Sequence, residues 1–206
     1  MDRAKTVLLI MGSTRAARIC PKITAWIAEI GQTCTGLAYE TVDLADWLLP
    51  MDDEAALPAL GPYAQPHTRA WSDKIKSADA VVFVAPQYNW GYPAVLKNAI
   101  DHLYHEWRDK PAAIVTYGGH GGTRCAKQLR QVATAVKMRM VMKAPAIRLS
   151  EAVIRQGASF IPERDFLPYR PQIQHALVEL AAQVAGRERF LTRVGRKWKA
   201  FLFAMT

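Results

Sequence analysis

Residues 80–101 read AVVFVAPQYNWGYPAVLKNAID, and this stretch decides the fold. The segment 80–85 is an unbroken apolar run, which is typical of a strand buried on both faces of a parallel sheet. Polar and aromatic side chains follow from Gln87 to Tyr92, and Pro93 then opens an amphipathic segment that predicts a helix with proline in its first turn. The loop between them follows the carboxyl end of a strand, where ligands bind in open α/β sheets. Its amides and aromatic rings suit a planar ligand that forms hydrogen bonds.

The rest of the chain repeats this alternation of strand and helix. Hydrophobic periodicity predicts strands at 6–11, 37–42, 80–85, 112–117 and 139–147, the last one broken at Pro145. It predicts helices at 19–30 (ended by Gly31), at 67–77, from Pro93 onward, at 123–136 and at 171–185, with a long loop at 45–66 and irregular structure at 150–170. Strands joined by such helices form right-handed β-α-β units. We therefore predict an α/β fold of flavodoxin-like type, a doubly wound five-stranded parallel sheet of order 2-1-3-4-5 with helices on both faces.

The length and composition indicate one globular domain followed by a short tail. The chain has 206 residues, half of them apolar, which is enough for a hydrophobic core. We predict a domain at 1–185 and a separate tail at 186–206. Since no apolar run reaches about 20 residues and no export signal precedes the first strand, we expect a cytoplasmic protein.

The three cysteines, Cys20, Cys34 and Cys125, match no metal-binding spacing, and we predict no metal site. Reduced thiols are the expectation for a cytoplasmic protein. Cys20 lies near a predicted helix start, where a thiolate is favoured.

The charge of the chain is concentrated in its tail. The formal net charge is +9, and from Gly186 onward six basic residues stand against one acid. Apolar residues of the tail recur at helical spacing between these charges, which predicts a basic amphipathic helix. Such a helix could bind an anionic membrane surface or pack against another subunit. No motif indicates nucleic-acid binding.

The loop after the first strand has the composition of a phosphate site. It reads GSTRAAR from Gly12 to Arg18, and it joins a strand to a helix, so backbone N–H groups and the positive end of the helix converge there. Ser13 can donate a hydroxyl, and Arg15 and Arg18 can each contact two oxygens. The alternative is a helix cap with two solvated arginines.

The loops after the third and fourth strands complete the candidate site. The members of the first are Pro86, Gln87, Tyr88, Asn89 and Trp90, and those of the second are Tyr117, Gly118, Gly119, His120, Gly121 and Gly122. The glycines let the backbone approach a ring edge closely. The aromatic residues could instead cap the core or contact a subunit, the glycines could form a plain turn, and His120 could meet a ligand or face water.

Together these three loops, with residues 96–101 (LKNAID), resemble the NAD(P)H-dependent FMN reductase family of flavodoxin-like flavin and quinone reductases. The variant RAARICP at 15–21 and the run LYHEW at 103–107 are most similar to the fungal-type quinone reductases. The resemblance covers about residues 6–147. It implies that Ser13, Arg15 and Arg18 hold the FMN phosphate, that Pro86 to Trp90 support the isoalloxazine ring, and that Tyr117 to Gly122 meet its pyrimidine edge.

The resemblance also implies an activity. NADPH or NADH would pass hydride through bound FMN to a quinone, a free flavin or a similar acceptor by a ping-pong mechanism, in a homodimer or tetramer. FMN supplies this chemistry, so we assign no catalytic side chain. The alternatives are a flavodoxin-like electron carrier and a flavin-binding protein without NAD(P)H turnover.

Overall fold

The computed structural model describes residues 3–51 and 53–186. A parallel sheet runs through the centre in the order β2-β1-β3-β4-β5, and β6 also pairs with β4. The strands are β1 (Thr6–Met11), β2 (Ala38–Asp43), β3 (Ala80–Pro86), β4 (Pro111–Gly118), β5 (Arg139–Met140) and β6 (Ala146–Arg148). The helices are α1 (Cys20–Thr35), α2 (Pro66–Lys76), α3 (Ala94–Asp101), α4 (Thr123–Ala135), α5 (Glu151–Arg155), α6 (Pro162–Asp165) and α7 (Arg170–Val184). The predicted fold and strand order are confirmed.

Two helical layers cover the central strands, which explains their unbroken apolar sequences. In β1, Leu9 packs into the core shared with α1 and α7, whereas its neighbour Leu8 packs into the core shared with α2, α3 and α4. Alternate side chains of a strand point to opposite faces, so a strand covered on both faces needs apolar residues at every position. Every residue of β3 is accordingly buried.

The first helix is longer than the sequence indicates. α1 continues through Gly31 to Thr35 and is ended by Gly36, which has a left-handed φ of 68°. Gly31 has a different role, because a Cβ placed there would lie 2.3 Å from the ring of Tyr39. The predicted stop at Gly31 is therefore wrong, since this glycine allows α1 to pack closely on β2.

Three further local predictions need correction. Pro93 occupies the N-cap of α3 with an extended backbone, so the helix begins one residue later than predicted. The single predicted fifth strand is two short strands, β5 and β6, which pair with opposite ends of β4. The segment 150–170, predicted to be irregular, contains α5, α6 and a 3-10 turn at Leu167–Tyr169.

The described residues contain no helix that is both long and apolar enough to cross a bilayer. The predicted basic helix of the tail lies outside the described residues from position 187 onward. The division at 185/186 and the role of the tail therefore stay predictions.

Candidate functional site

Three loops at the carboxyl edge of the sheet surround one cleft of about 260 Å³. They follow β1, β3 and β4, which are neighbours in the sheet order. The residues lining the cleft are Ser13, Arg15, Ala17, Arg18, Ile19, Pro86, Gln87, Tyr88, Tyr117, Gly118, Gly119, Leu149, Val153 and Ile154. The parallel topology thus brings the three candidate loops together, as the sequence predicts.

The first loop leads directly into the start of α1. Ser13 is almost fully buried, and its hydroxyl shares a hydrogen bond of 2.8 Å with that of Tyr88. No side chain within the described parts of the chain caps the first turn of α1. The uncapped N–H groups and the positive end of the helix dipole therefore face the region where Arg15 and Arg18 lie.

Arg18 is held in place before any ligand binds. Its guanidinium forms an ion pair with Asp43 at the end of β2, and Nη1 donates to the carbonyl of Arg15 at 3.3 Å. The Nε–H group is buried and has no hydrogen-bond partner within residues 3–51 and 53–186. A buried donor without a partner costs about 1–3 kcal/mol, so an anion that accepted from it would recover that energy.

Arg15 is exposed and lies over a ring of the second loop. Its guanidinium carbon is 3.8 Å from the centre of the Tyr88 ring, a cation–π geometry. At an exposed site this contact contributes about 0.5–1 kcal/mol. Arg15 can therefore turn toward a phosphate at small cost.

The second loop is a tight turn with an unusual backbone. Tyr88 and Gly91 exchange two hydrogen bonds of 2.9 Å, and Asn89 and Trp90 between them have positive φ values of 46° and 71°. This conformation is tolerated by asparagine but is a true outlier for tryptophan. Trp90 is 59% exposed, and the guanidinium of Arg124 lies 3.1 Å from its ring centre. The strained turn fixes Tyr88 at the cleft and holds an indole outside it.

Gln87 and Tyr117 connect the cleft to the core. Gln87 accepts from the backbone N–H of Cys125 in the first turn of α4, at 3.2 Å, so its amide orients that helix. Tyr117 is 3% exposed, and burial raises the pKa of its hydroxyl far above the usual value. Tyr117 therefore stays protonated and forms the floor of the cleft.

The glycines of the third loop divide into two groups. Gly118 and Gly119 line the cleft. Gly121 and Gly122 are buried, with φ values of 77° and 89°, and a Cβ on Gly122 would lie 2.8 Å from Thr116. The N–H of Gly121 donates to the carbonyl of Gly118 at 2.9 Å. The last two glycines thus serve the turn and its contact with β4, while the first two leave room at the cleft.

Nine of the predicted site residues line the cleft and five do not. Asn89, Trp90 and His120 are exposed beyond it, and Gly121 and Gly122 are buried behind it. For all fourteen residues, the predicted contact with a cofactor stays a prediction.

Sequence reasoning missed one wall of the cleft, which is formed by Leu149, Val153 and Ile154. The available signal was the pair Ser150-Glu151, because Ser150 caps α5 by accepting from the N–H of Val153 at 3.3 Å.

The cysteines are all free thiols, as predicted. The nearby start of α1 does not make Cys20 a thiolate, because burial outweighs it. Burial raises the pKa of Cys20, and its hydrogen bond with Tyr117 only partly offsets this effect. Burial also raises the pKa of Cys125 to about 12. Both of these buried thiols are therefore protonated at neutral pH.

Comparison with known proteins decides the family. The profile described as NADPH-dependent FMN reductase matches residues 6–151, which include all three loops of the cleft. The chain belongs to the NADPH-dependent FMN reductase family. This family uses FMN and NAD(P)H, so the predicted family, cofactors and enzyme class are confirmed.

Several relatives agree with this family. An NAD(P)H-dependent FMN reductase of Schizosaccharomyces pombe is 50% identical over 177 residues, covering 85% of this chain and 88% of the relative. An NAD(P)H-dependent FMN reductase of Saccharomyces cerevisiae is 43% identical over 166 residues, covering 75% of this chain and 86% of the relative. An NADPH:quinone oxidoreductase of Arabidopsis thaliana is 36% identical over 116 residues, covering 54% of this chain and 57% of the relative.

A solved structure supports the fold. The flavoenzyme NAD(P)H:(acceptor) oxidoreductase FerB of Paracoccus denitrificans superposes with a TM-score of 0.66 at 22% identity, covering 87% of this chain and 99% of that one.

Proposed function

We propose that this enzyme binds FMN in the cleft and transfers electrons from NADPH or NADH to a quinone, a free flavin or a similar small acceptor. The observation that carries the proposal is the buried, unpartnered Nε–H of Arg18 beside Ser13, at the uncapped start of α1. These groups suit a phosphate dianion, and the cleft beyond them is lined by aromatic, amide and apolar groups. When bound, FMN would supply the hydride and electron transfer chemistry.

At the phosphate end, the residues act by charge and hydrogen bonding. Arg15 and Arg18 supply two positive charges, and Asp43 cancels one of them, so the cradle keeps a net charge of about +1 plus the helix dipole. A phosphate monoester carries about −1.5 to −2 charges at neutral pH, which this cradle would largely balance. Ser13 would contribute a hydroxyl that Tyr88 orients.

At the ring end, the residues act by shape. Tyr88, Gly118 and Gly119 would leave a flat opening, and Ile154 would close the wall on the apolar side. Because Gly118 and Gly119 have no side chains, their backbone groups could approach a ring edge there. We assign no side chain the role of general acid or base, and His120, which faces solvent outside the cleft, has no assigned role.

Kinetics would test this proposal. The purified protein should show a flavin absorbance band that bleaches when NADPH is added without oxygen. Initial rates measured with varied NADPH and varied quinone should give parallel double-reciprocal lines, as a ping-pong mechanism requires. A protein that binds FMN but fails to oxidise NADPH or NADH with any acceptor would be an electron carrier or a flavin-binding protein, and the proposal would be wrong.

We further propose that the enzyme acts in the cytoplasm as a homodimer or tetramer. The free thiols support a reducing compartment. The exposed indole of Trp90, held by Arg124 at the mouth of the cleft, supports a subunit contact beside the site. Light scattering of the wild type and of Trp90→Ser would test this, since a monomeric wild type would contradict the proposal.

A further inference from the structure

A second polar cluster lies away from the cleft, on the α2 and α3 side of the sheet. His67 lies in the first turn of α2, His102 follows the last residue of α3, and Asp53 lies on the long loop at 45–66. The Nε2 atom of His67 is 2.9 Å and 3.1 Å from the two carboxylate oxygens of Asp53. One potential ligand atom from each of the three residues lies within 4.8 Å of the others.

The distance between Asp53 and His67 is close to what a zinc ion requires. Ligands at about 2.0–2.1 Å from zinc, arranged tetrahedrally, are separated by about 3.3 Å. The Asp53–His67 separation is slightly shorter than this spacing, and the ligand atom of His102 lies within 4.8 Å of the other two, so the side chains would have to move closer around an ion. Two imidazoles and one carboxylate also form a ligand set that zinc accepts, with a fourth position open to water.

The hydrogen bonds of His102 place it in the correct tautomer. Its Nε2 lies 2.8 Å from the carbonyl oxygen of Pro50, and because a carbonyl only accepts, Nε2 carries the proton. In the neutral ring the lone pair is then on Nδ1, which lies 3.1 Å from the buried hydroxyl of Thr68. A metal-binding histidine typically donates its other N–H to a carbonyl or carboxylate in this way. A metal at Nδ1 would take the place of the Thr68 hydroxyl oxygen, so the Thr68 side chain would have to turn about χ1 to make room.

The electrostatics of this region also favour a cation. A cleft of about 350 Å³ adjoins the cluster and is lined by Asp53, Glu54, Asp101 and His102 among others. Asp101 is paired with Lys97, so Asp53 and Glu54 supply most of the negative charge of this cleft, on a chain whose net charge is +9. The cleft would give an ion access from solvent and room for a bound water.

We propose that Asp53, His67 and His102 bind one Zn²⁺ ion, which fixes the loop at 45–66 against α2 and α3. The ion would replace the proton shared between His67 and Asp53 and would join three segments that are distant in sequence.

The test uses the full chain after chelator treatment, titrated with ZnCl₂ by calorimetry and followed by thermal unfolding. The wild type should bind one Zn²⁺ per chain and melt at a higher temperature with zinc. His67→Gln and His102→Ala should each lower the zinc affinity by on the order of 100-fold or more, since even the loss of an outer partner costs about 10- to 100-fold. The matched control is His175→Ala, an exposed histidine of α7 on the opposite face, which should leave zinc binding unchanged.

Co²⁺ gives a second measurement. It should produce the visible absorption of a tetrahedral complex with the wild type and His175→Ala, and none with Asp53→Asn. Because Asp53 and His67 are only partly buried, their variants should fold even if His102→Ala does not. If the wild type takes up no zinc, or if His175→Ala loses zinc as much as His67→Gln does, the cluster is an ordinary hydrogen-bonded group and the proposal is wrong. Neither readout depends on flavin.

Discussion

Replacing Arg18 by lysine would test the assignment of the phosphate end most directly. In the structure the Arg18 guanidinium has two partners: it forms an ion pair with Asp43 and donates a 3.3 Å hydrogen bond to the carbonyl of Arg15. Its buried Nε–H has no partner within residues 3–51 and 53–186. Lysine keeps the charge but has a single ammonium group, so it cannot serve Asp43 and a phosphate in the same way. The variant should lose at least one charge-assisted hydrogen bond, which contributes about 1.5–3 kcal/mol. The Kd for FMN should therefore rise by about 10- to 150-fold.

The assay compares two ligands that differ only in the phosphate. Apoprotein is titrated with FMN and with riboflavin, and the loss of flavin fluorescence gives each Kd. Arg18→Lys should weaken FMN binding by the stated factor and leave riboflavin binding almost unchanged. Arg164→Lys provides the matched control, because Arg164 is exposed and pairs only with its neighbour Asp165 in the described part of the chain.

Either of two results would refute the reasoning. If Arg18→Lys weakened FMN and riboflavin by the same factor, Arg18 would act on the shape of the cleft and not on the phosphate. If neither affinity changed, the unpaired Nε–H would have no part in binding, and the phosphate would have to lie elsewhere.

Three further perturbations test the fold and the tail. Burial alone would raise the pKa of Asp79, but the Thr6 N–H and two nearby cations hold it below its usual value. Asp79→Asn should therefore cost about 1–2 kcal/mol of unfolding free energy at neutral pH, and urea curves of variant and wild type should converge as pH falls through that lowered pKa. Gly122→Ala should cost about 2–5 kcal/mol from left-handed strain and overpacking, whereas Gly157→Ala, with φ 63° and open space, should cost only about 1–2 kcal/mol. Deleting 187–206 should abolish co-sedimentation with anionic liposomes if the tail binds membranes, and equal pelleting of both proteins would contradict that role.

The fold was predictable because its signals are local. A short apolar run such as 80–85 between turn residues is typical of a strand covered on both faces, and five such strands alternating with helices fit the flavodoxin-like order. The three loops were also predictable, since parallel topology brings the ends of neighbouring strands together. What periodicity could not give was the role of single glycines. Gly31 looks like a helix stop, yet its role depends on Tyr39, a contact between α1 and β2.

The residues around Arg18 show why the rest of the site could not be predicted from the sequence. Asp43 ends β2 and is paired in register with Met11 at the end of β1, so its carboxylate lies beside the loop that carries Arg18. No sequence motif contains both residues, because they are far apart in the chain and only the parallel pairing of β1 with β2 brings them together. The pairing has an energetic consequence. A long basic side chain gives up about 2 kcal/mol of rotamer entropy when it is fixed, and Asp43 makes Arg18 lose much of that freedom during folding and not on binding. An arginine that is already ordered, with one donor still unsatisfied, should bind an anion more tightly than a solvated one, and for this reason we propose that Arg18 belongs to a phosphate site.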